Sequence, residues 1–359
     1  MTDGVEVVAE PEDLTAAWLT RALGSTGEFT VTAVESTPIG TGQMGSSFRL
    51  ELTYEGDPGD RPATVVAKLP SPNPDMRPMA AGAYRTELGF YLDLAATVAV
   101  RTPTCHHAGI ADDHVTFVLL LEDLHPARQG DQIAGATPAE AEAAVVELAG
   151  LHGPRWCDPT LWDLPWVNGI DEEGATMLGD VLASAVDVFV ERYAGRLDPA
   201  DGPLLAEIAA VMGRWIVGRP ERFGPVHGDY RMDNLMFFPG SSPDRSGGMA
   251  AVDWQTIGVG LPARDLAYFL ETSLDPELRR AHEHDLVRAY HEALVGFGVD
   301  DYSLEQCFDD YRYAALQGPL ITVFGAAYGT PTERGDEMFL AMISRSCQAI
   351  RDLGTLELV

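Results

Sequence analysis

The feature that most constrains the fold is a change of hydrophobic period near residue 125. Before it, apolar residues mostly alternate. Phe48, Leu50, Leu52 and Tyr54 share one face of Ser47–Tyr54, and a period of two marks a half-buried strand. Residues 29–37 alternate in the same way, and Ala63–Leu69 and Val115–Leu121 read as further strands. Two helical patterns interrupt them, over 12–24 with Leu14, Trp18, Leu19 and Leu23, and over Ala80–Ala95 with Tyr84, Leu88, Tyr91 and Leu92. After residue 126 helical spacing takes over. Thr137-Pro138 supplies an N-cap and a first-turn proline for a helix over 138–151. Further helices are expected at 173–195, 203–218, 264–273, 276–297, 303–326 and 333–353. One strand pair, Asn234–Phe238 and Met249–Trp254, flanks a turn rich in Gly, Ser and Pro. Strands followed by helices predict an α+β fold. The expected division is a small, mainly antiparallel-sheet lobe over 1–124 and a helical lobe over 125–359.

Charge excludes some classes of function. With 24 basic and 55 acidic residues the formal net charge is −31. Such a chain repels nucleic-acid backbones and anionic membrane surfaces. The longest apolar run, Val115–Leu121 with one Thr, is far short of the ~20 residues needed to span a bilayer. Cys105, Cys157, Cys307 and Cys347 form no C-x-x-C pair, which speaks against a zinc site and fits a reducing compartment. The first residues are acidic and carry no basic or apolar leader pattern, so a cytoplasmic location is expected. Of the 24 basic residues only Lys68 is a lysine.

That lysine belongs to an ordered series. Gly40-Thr41-Gly42-Gln43-Met44-Gly45 is a G-x-G-x-x-G turn. An alternating strand follows it, whereas dinucleotide binding needs a helix there. It fits either a phosphate-covering turn of the kinase type or an ordinary hairpin. Lys68 stands 23 residues after Gly45 at the end of a strand, where an ammonium must find an anion or water. Glu87, in the next helix, is the best-placed carboxylate to hold it. The densest signal is His227-Gly228-Asp229-Tyr230-Arg231-Met232-Asp233-Asn234, followed by Val252-Asp253-Trp254. Phosphoryl transfer needs a carboxylate beside the attacking hydroxyl and oxygen ligands for Mg²⁺. Asp229, Asn234 and Asp253 supply those groups. Other candidates read as structural: His106-His107 as loop, His152 at a helix end, Trp156, Trp162 and Trp166 as packing or acceptor-pocket residues, and His282 and His284 as surface.

The order of glycine turn, Ala-Lys, helix Glu, H-G-D-x-x-x-x-N and Val-Asp-Trp resembles the aminoglycoside phosphotransferase and choline kinase superfamily, and within it the ecdysteroid-kinase-like branch. The resemblance rests most on Val226–Phe238 and Val252–Leu270. It implies a protein-kinase-like two-lobe fold and an ATP-dependent small-molecule kinase with Mg²⁺ as cofactor. Gly40, Gly42 and Gly45 would cover the phosphates, and Lys68, held by Glu87, would pair with them. Glu122-Asp123-Leu124 would be the hinge at the adenine edge. Asp229 would be the base, with Asn234 and Asp253 as Mg²⁺ ligands. Arg231 is expected to stabilise charge on the γ-phosphoryl. Asp265 and His227 would brace the loop. The departures are equally specific. Asp253-Trp254-Gln255 stands where protein kinases have Asp-Phe-Gly, and Met232-Asp233 where many aminoglycoside kinases carry Pro-Gly. Protein phosphorylation is disfavoured, and antibiotic resistance loses support. The expected partner is a small molecule bearing a hydroxyl. An aminoglycoside-type acceptor and a non-catalytic nucleotide-binding module remain the alternatives.

Overall fold

A computed structural model describes residues 4–40, 44–240 and 248–359. Gly42 of the glycine turn lies outside the described residues. The chain forms two compact units. The first is drawn from Met1–Ala96, Thr102–His125 and Asp253–Thr256, the second from Thr97–Arg101, Pro126–Val252 and Ile257–Val359.

The first unit is built on an antiparallel five-stranded sheet. Its strands are β1 (Phe29–Ile39), β2 (Gly45–Gly56), β3 (Thr64–Pro70), β4 (Cys105–Ile110) and β5 (Phe117–Glu122), in the order β1-β2-β3-β5-β4. Leu50, Leu52, Val65, Ala67, Leu69, Val118 and Leu120 form the buried face and pack with Trp18 and Leu19 of helix α1 (Ala16–Ala22). The helix expected over 12–24 is shorter at its start, because Pro11–Asp13 forms a 3₁₀ turn and Thr15 is the N-cap. Helix α2 (Arg77–Gly89) continues into a single π turn, Phe90–Leu94. The loop expected at His106-His107 is instead strand β4. It lies at the sheet edge, where pairing with β5 does not demand apolar alternation. There His107 packs edge-on against Trp18, with ring centroids 5.4 Å apart.

The second unit is mainly helical. It contains α3 (Pro138–His152), α4 (Glu172–Arg192), α5 (Asp201–Ile216), α6 (Ala263–Ser273), α7 (Pro276–Gly296), α8 (Leu304–Ala314), α9 (Gln317–Tyr328) and α10 (Glu333–Leu353). Short strands β6 (Arg128–Gln129), β8 (Leu235–Phe237) and β9 (Met249–Ala251) form one small sheet. A second pairs β7 (Gly224–Val226) with β10 (Gly258–Gly260). The single helix expected over 303–326 is two, α8 and α9. The chain turns between them at Ala315 and Leu316, both fully buried. Gly318-Pro319 in the first turn of α9 marks the break, because Pro319 has no N–H to offer the Ala315 carbonyl and its ring clashes with a helix running through that point.

Helix α6 is buried along nearly its whole length, as expected for a helix enclosed by others. It carries Asp265, Tyr268 and Glu271 at three-residue spacing, so consecutive members lie close on its surface. Glu271 is fully buried, and its Oε1 accepts the Gly318 amide at 2.8 Å. Among the described residues its Oε2, Ser346 Oγ and Thr322 Oγ1 have no hydrogen-bond partner. Burial pushes the Glu271 carboxyl well above the usual range, outweighing the Gly318 amide and Arg279. The folded chain therefore binds more protons than the unfolded one as pH rises through and above the ordinary glutamate range. Stability falls across that window. Glu271→Gln keeps the acceptor for Gly318 and needs no proton. It is expected to raise Tm at about pH 8 by about 2 °C or more and to flatten the decline from about pH 5. Melting curves at both pH values check this, and an unchanged Tm at the higher pH would count against it.

Candidate active site

In the first unit, the β2–β3–β5 ladder places Lys68 opposite Ser47 on one side and Leu119 on the other. Its Nζ donates to Glu87 Oε1 at 2.7 Å and to Asp253 Oδ1 at 2.9 Å. The Glu87 side chain is only 1% exposed, that of Lys68 13% and that of Asp253 41%. Burial alone would lower the Lys68 pKa, but Asp253 and then Glu87 outweigh it and hold the ammonium above its ordinary value. One cation thus faces two carboxylates, which leaves the cluster formally one negative charge in excess.

Trp254 explains how residues so late in the chain join this unit. Its ring stacks on Phe90 of the π turn at 3.8 Å, and its Nε1 donates to Thr102 Oγ1 at 3.0 Å. The large ring anchors the segment where protein kinases use Phe. Asp253 takes a left-handed backbone, φ 66°, a conformation that Asp tolerates better than most residues. The expected hinge residues have their side chains occupied. Glu122 Oε2 accepts from the Thr104 amide and hydroxyl at 3.0 and 3.1 Å. Leu124 is buried, and Asp123 bridges Arg49. Gly40 has φ 72°, which suits a glycine, and Gly45 begins β2.

In the second unit, the His227–Asn234 segment folds around its own carboxylate. Asp229 Oδ1 accepts the Tyr268 hydroxyl at 2.6 Å and Arg231 Nε at 2.9 Å. Asn234 Nδ2 donates to Asp229 Oδ2 and to the Asp229 carbonyl, each at 2.9 Å. The amide so oriented leaves Asn234 Oδ1, a hard oxygen, outside that pair. Arg231 Nη1 reaches Asp233 Oδ2 at 3.1 Å, and Arg334 at the start of α10 grips both Asp233 oxygens at 2.9 Å. Burial disfavours charge on Arg231, but Asp229 outweighs it and keeps the guanidinium pKa above its ordinary value.

The segment is braced from behind. Asp265 accepts the His227 and Gly228 amides at 2.6 and 2.9 Å, and His152 Nε2 lies 3.2 Å from it. The Asp229 amide donates to His227 Nδ1 at 3.3 Å, so the ring proton sits on Nε2 and points at the Val252 carbonyl, 3.1 Å away. Gly228 has φ 82°. A β-carbon is disfavoured there, which accounts for His-Gly-Asp in place of His-Arg-Asp.

The structure therefore gathers Lys68, Glu87 and Asp253 in one unit, and Asp229, Arg231 and Asn234 in the other. Sequence reasoning missed Tyr268, Asp233, Arg334 and Gln132, whose backbone N–H donates to Asp233 Oδ1 at 2.9 Å. Tyr268 carried a signal, since it lies three residues after Asp265 on the same helix. Arg334 and Gln132 are about 100 residues from Asp233 in sequence, and nothing local marks them. Among the described residues no cluster of three His, Cys, Asp or Glu side chains is arranged to hold a metal, and no helix is long and apolar enough to cross a membrane.

Residues 209–298 match the model of the ecdysteroid kinase-like family. A stretch of 117 residues is 31% identical to acyl-CoA dehydrogenase family member 10 of Mus musculus, covering 28% of this chain and 10% of that protein's length. Solved structures align over most of the chain. A candidate aminoglycoside phosphotransferase of Ralstonia eutropha has a TM-score of 0.56 at 14% identity, covering 95% of this chain and 97% of its own. For choline kinase from Cryptosporidium parvum the TM-score is 0.55 at 9% identity, with 91% of each chain covered. For the GDP complex of aminoglycoside 2′-phosphotransferase-IIIa it is 0.52 at 14% identity, covering 88% and 93%. The chain has the α+β fold of the aminoglycoside phosphotransferases and choline kinases, the superfamily that its motif order resembles.

Proposed function

We propose that the protein is a small-molecule kinase that moves the γ-phosphoryl group of a nucleoside triphosphate, ATP by the sequence reading, to an acceptor hydroxyl. The observation that carries the reading is Lys68. The chain's one lysine is largely shielded from solvent, kept charged, and held by a helix glutamate and a second carboxylate. A strand lysine paired with a helix glutamate is the arrangement that phosphate pairing uses in kinase-type folds.

In this reading Lys68 pairs with the phosphates and Glu87 fixes its direction. Asp229 accepts a hydrogen bond from the acceptor hydroxyl and takes its proton as the new O–P bond forms and the bond to the leaving diphosphate breaks. Tyr268 and Asn234 hold that carboxylate in one orientation. Such a transition state is loose, so positioning and charge supply most of the acceleration. Asn234 Oδ1 and the Asp253 carboxylate are hard oxygen donors of the kind Mg²⁺ prefers, and they are the residues proposed to hold it. Mg²⁺ would draw charge from the β- and γ-phosphates. The excess negative charge around Lys68 fits a site completed by a cation. Arg231 is proposed to offset charge on the transferring group. Arg231→Ala is expected to lower kcat about 100-fold, and an unchanged kcat would remove Arg231 from the mechanism.

The test is calorimetry with MgATP and MgGTP, followed by nucleotide consumption across alcohols of distinct chemistry: an aminoglycoside, choline, a sterol and a hydroxyacyl thioester. Binding with acceptor-dependent turnover supports the reading. Binding without turnover on any acceptor leaves a nucleotide-binding module, and no binding ends the proposal.

A further inference from the structure

Helix α2 does more than present Glu87. One turn before it stands Tyr84, fully buried, its ring stacked on Phe117 with centroids 4.3 Å apart. Its hydroxyl is used twice. It accepts the Ser71 amide at 3.0 Å and donates to the Met44 carbonyl at 2.5 Å. Because Ser71 supplies the donor on one side, the phenolic proton is committed to Met44. Ser71 lies just beyond β3, two residues past Leu69, and its carbonyl accepts Arg77 Nε at 2.7 Å. Met44 is the penultimate residue of the glycine turn. Gly45 follows it in a place with no room for a side chain, since a β-carbon there would lie 2.8 Å from the Leu69 carbonyl oxygen. The exit of the turn is therefore clamped by β3 on one side and by the Tyr84 hydroxyl on the other.

We propose that Tyr84 is a positioning residue for the Met44–Gly45 end of the glycine turn, so that α2 sets that end through a hydroxyl and Lys68 through a carboxylate. The inference rests on the kinase reading above. Tyr84 and Glu87 are three residues apart on one helix, and therefore close on its surface. A displacement of α2 would carry both anchors together. The Met44–Gly45 end of the turn and the lysine ammonium would then keep one spacing toward a bound polyphosphate, and a nucleoside without phosphates would not sense the arrangement.

Isothermal titration of the full chain and its Tyr84→Phe variant tests this. The ligands are MgATP and adenosine, or MgGTP and guanosine where that is the nucleotide bound. Phenylalanine keeps the ring and removes only the hydroxyl. Affinity for the triphosphate is expected to fall about tenfold, the effect of one lost hydrogen bond at the upper end of its usual range. Affinity for the nucleoside is expected to change less than about twofold, and its retention shows that the unit is folded. An unchanged triphosphate affinity, or equal weakening of both ligands, would overturn the positioning role while leaving the kinase reading intact. A parent chain that binds neither triphosphate would overturn the kinase reading and this inference with it.

Discussion

Asp229→Asn is expected to reduce kcat about 1,000-fold, within the usual contribution of a positioned general base, while the nucleotide dissociation constant stays within about threefold. The geometry separates the two effects. Asp229 belongs to the second unit and is held there by Tyr268, Arg231 and Asn234. The residues proposed to grip the phosphates, Lys68 and Glu87, belong to the first unit. An amide at position 229 cannot take the acceptor proton. It also fits its surroundings poorly. Donors approach both carboxylate oxygens, from Tyr268 and Arg231 on one and from Asn234 on the other. Whichever way the amide turns, its NH₂ meets a donor, so a loss of about 1–3 kcal/mol in stability is expected as well. Single-turnover rates and nucleotide titrations on the same preparation resolve the two contributions. Tyr268→Phe is the calibrating variant. It removes one donor and keeps the carboxylate, so its rate loss should be far smaller. If Asp229→Asn retains more than about a tenth of the parent rate, Asp229 is not the base.

The sequence carried the elements whose ends are marked by local chemistry. Helix α10 runs over 333–353, as its apolar spacing predicts. Thr332 caps its start, and Gly354 ends it in a left-handed turn, φ 63°. Helix α3 begins where Thr137-Pro138 predicts, with Glu140 completing a capping box. Elements fixed by tertiary contacts left no such mark. Strand β4 is defined by its pairing with β5, and two histidines at its centre disguise it. Three-residue strands such as β7 and β10 are too short to show a period. The same division holds at the candidate site. Asp229, Arg231 and Asn234 were legible because one eight-residue run contains them. Tyr268, Gln132 and Arg334 come from separate elements, and only the folded chain brings them together. Glu87 is intermediate, since strand and helix order pointed to it, but its burial and its 2.7 Å contact with Lys68 could be read only from coordinates.

Lys68→Met should give the largest combined loss. The substitution keeps the aliphatic length and leaves Glu87, 1% exposed, and Asp253 without their shared cation. Breaking a buried pair from one side costs about 3–5 kcal/mol. The Asp253 share counts for less, because that side chain is 41% exposed and screened by water. In the parent chain the lysine is held above its ordinary pKa. Its contribution is therefore complete below the ordinary lysine range and is lost only as pH rises through the higher folded-state value. The variant behaves in the opposite sense. Burial first, and then Asp253, already push the Glu87 carboxyl up against the pull of Lys68. Without the ammonium the folded state gains more by taking a proton. The variant should then recover stability as pH falls, and its deficit should be greatest at neutral pH and above. Loss of affinity for the nucleotide triphosphate is expected at about 100-fold, the range of a charge-assisted contact. Lys68→Met combined with Glu87→Gln distinguishes a structural lysine from one that binds phosphate. The neutral pair should recover most of the lost stability, because the buried charge is gone, while triphosphate affinity stays low. Urea unfolding and calorimetry on the single and double variants measure both quantities. Triphosphate affinity that returns along with stability would show that Lys68 serves only to neutralise Glu87, and the proposed contact with phosphate would have to be abandoned.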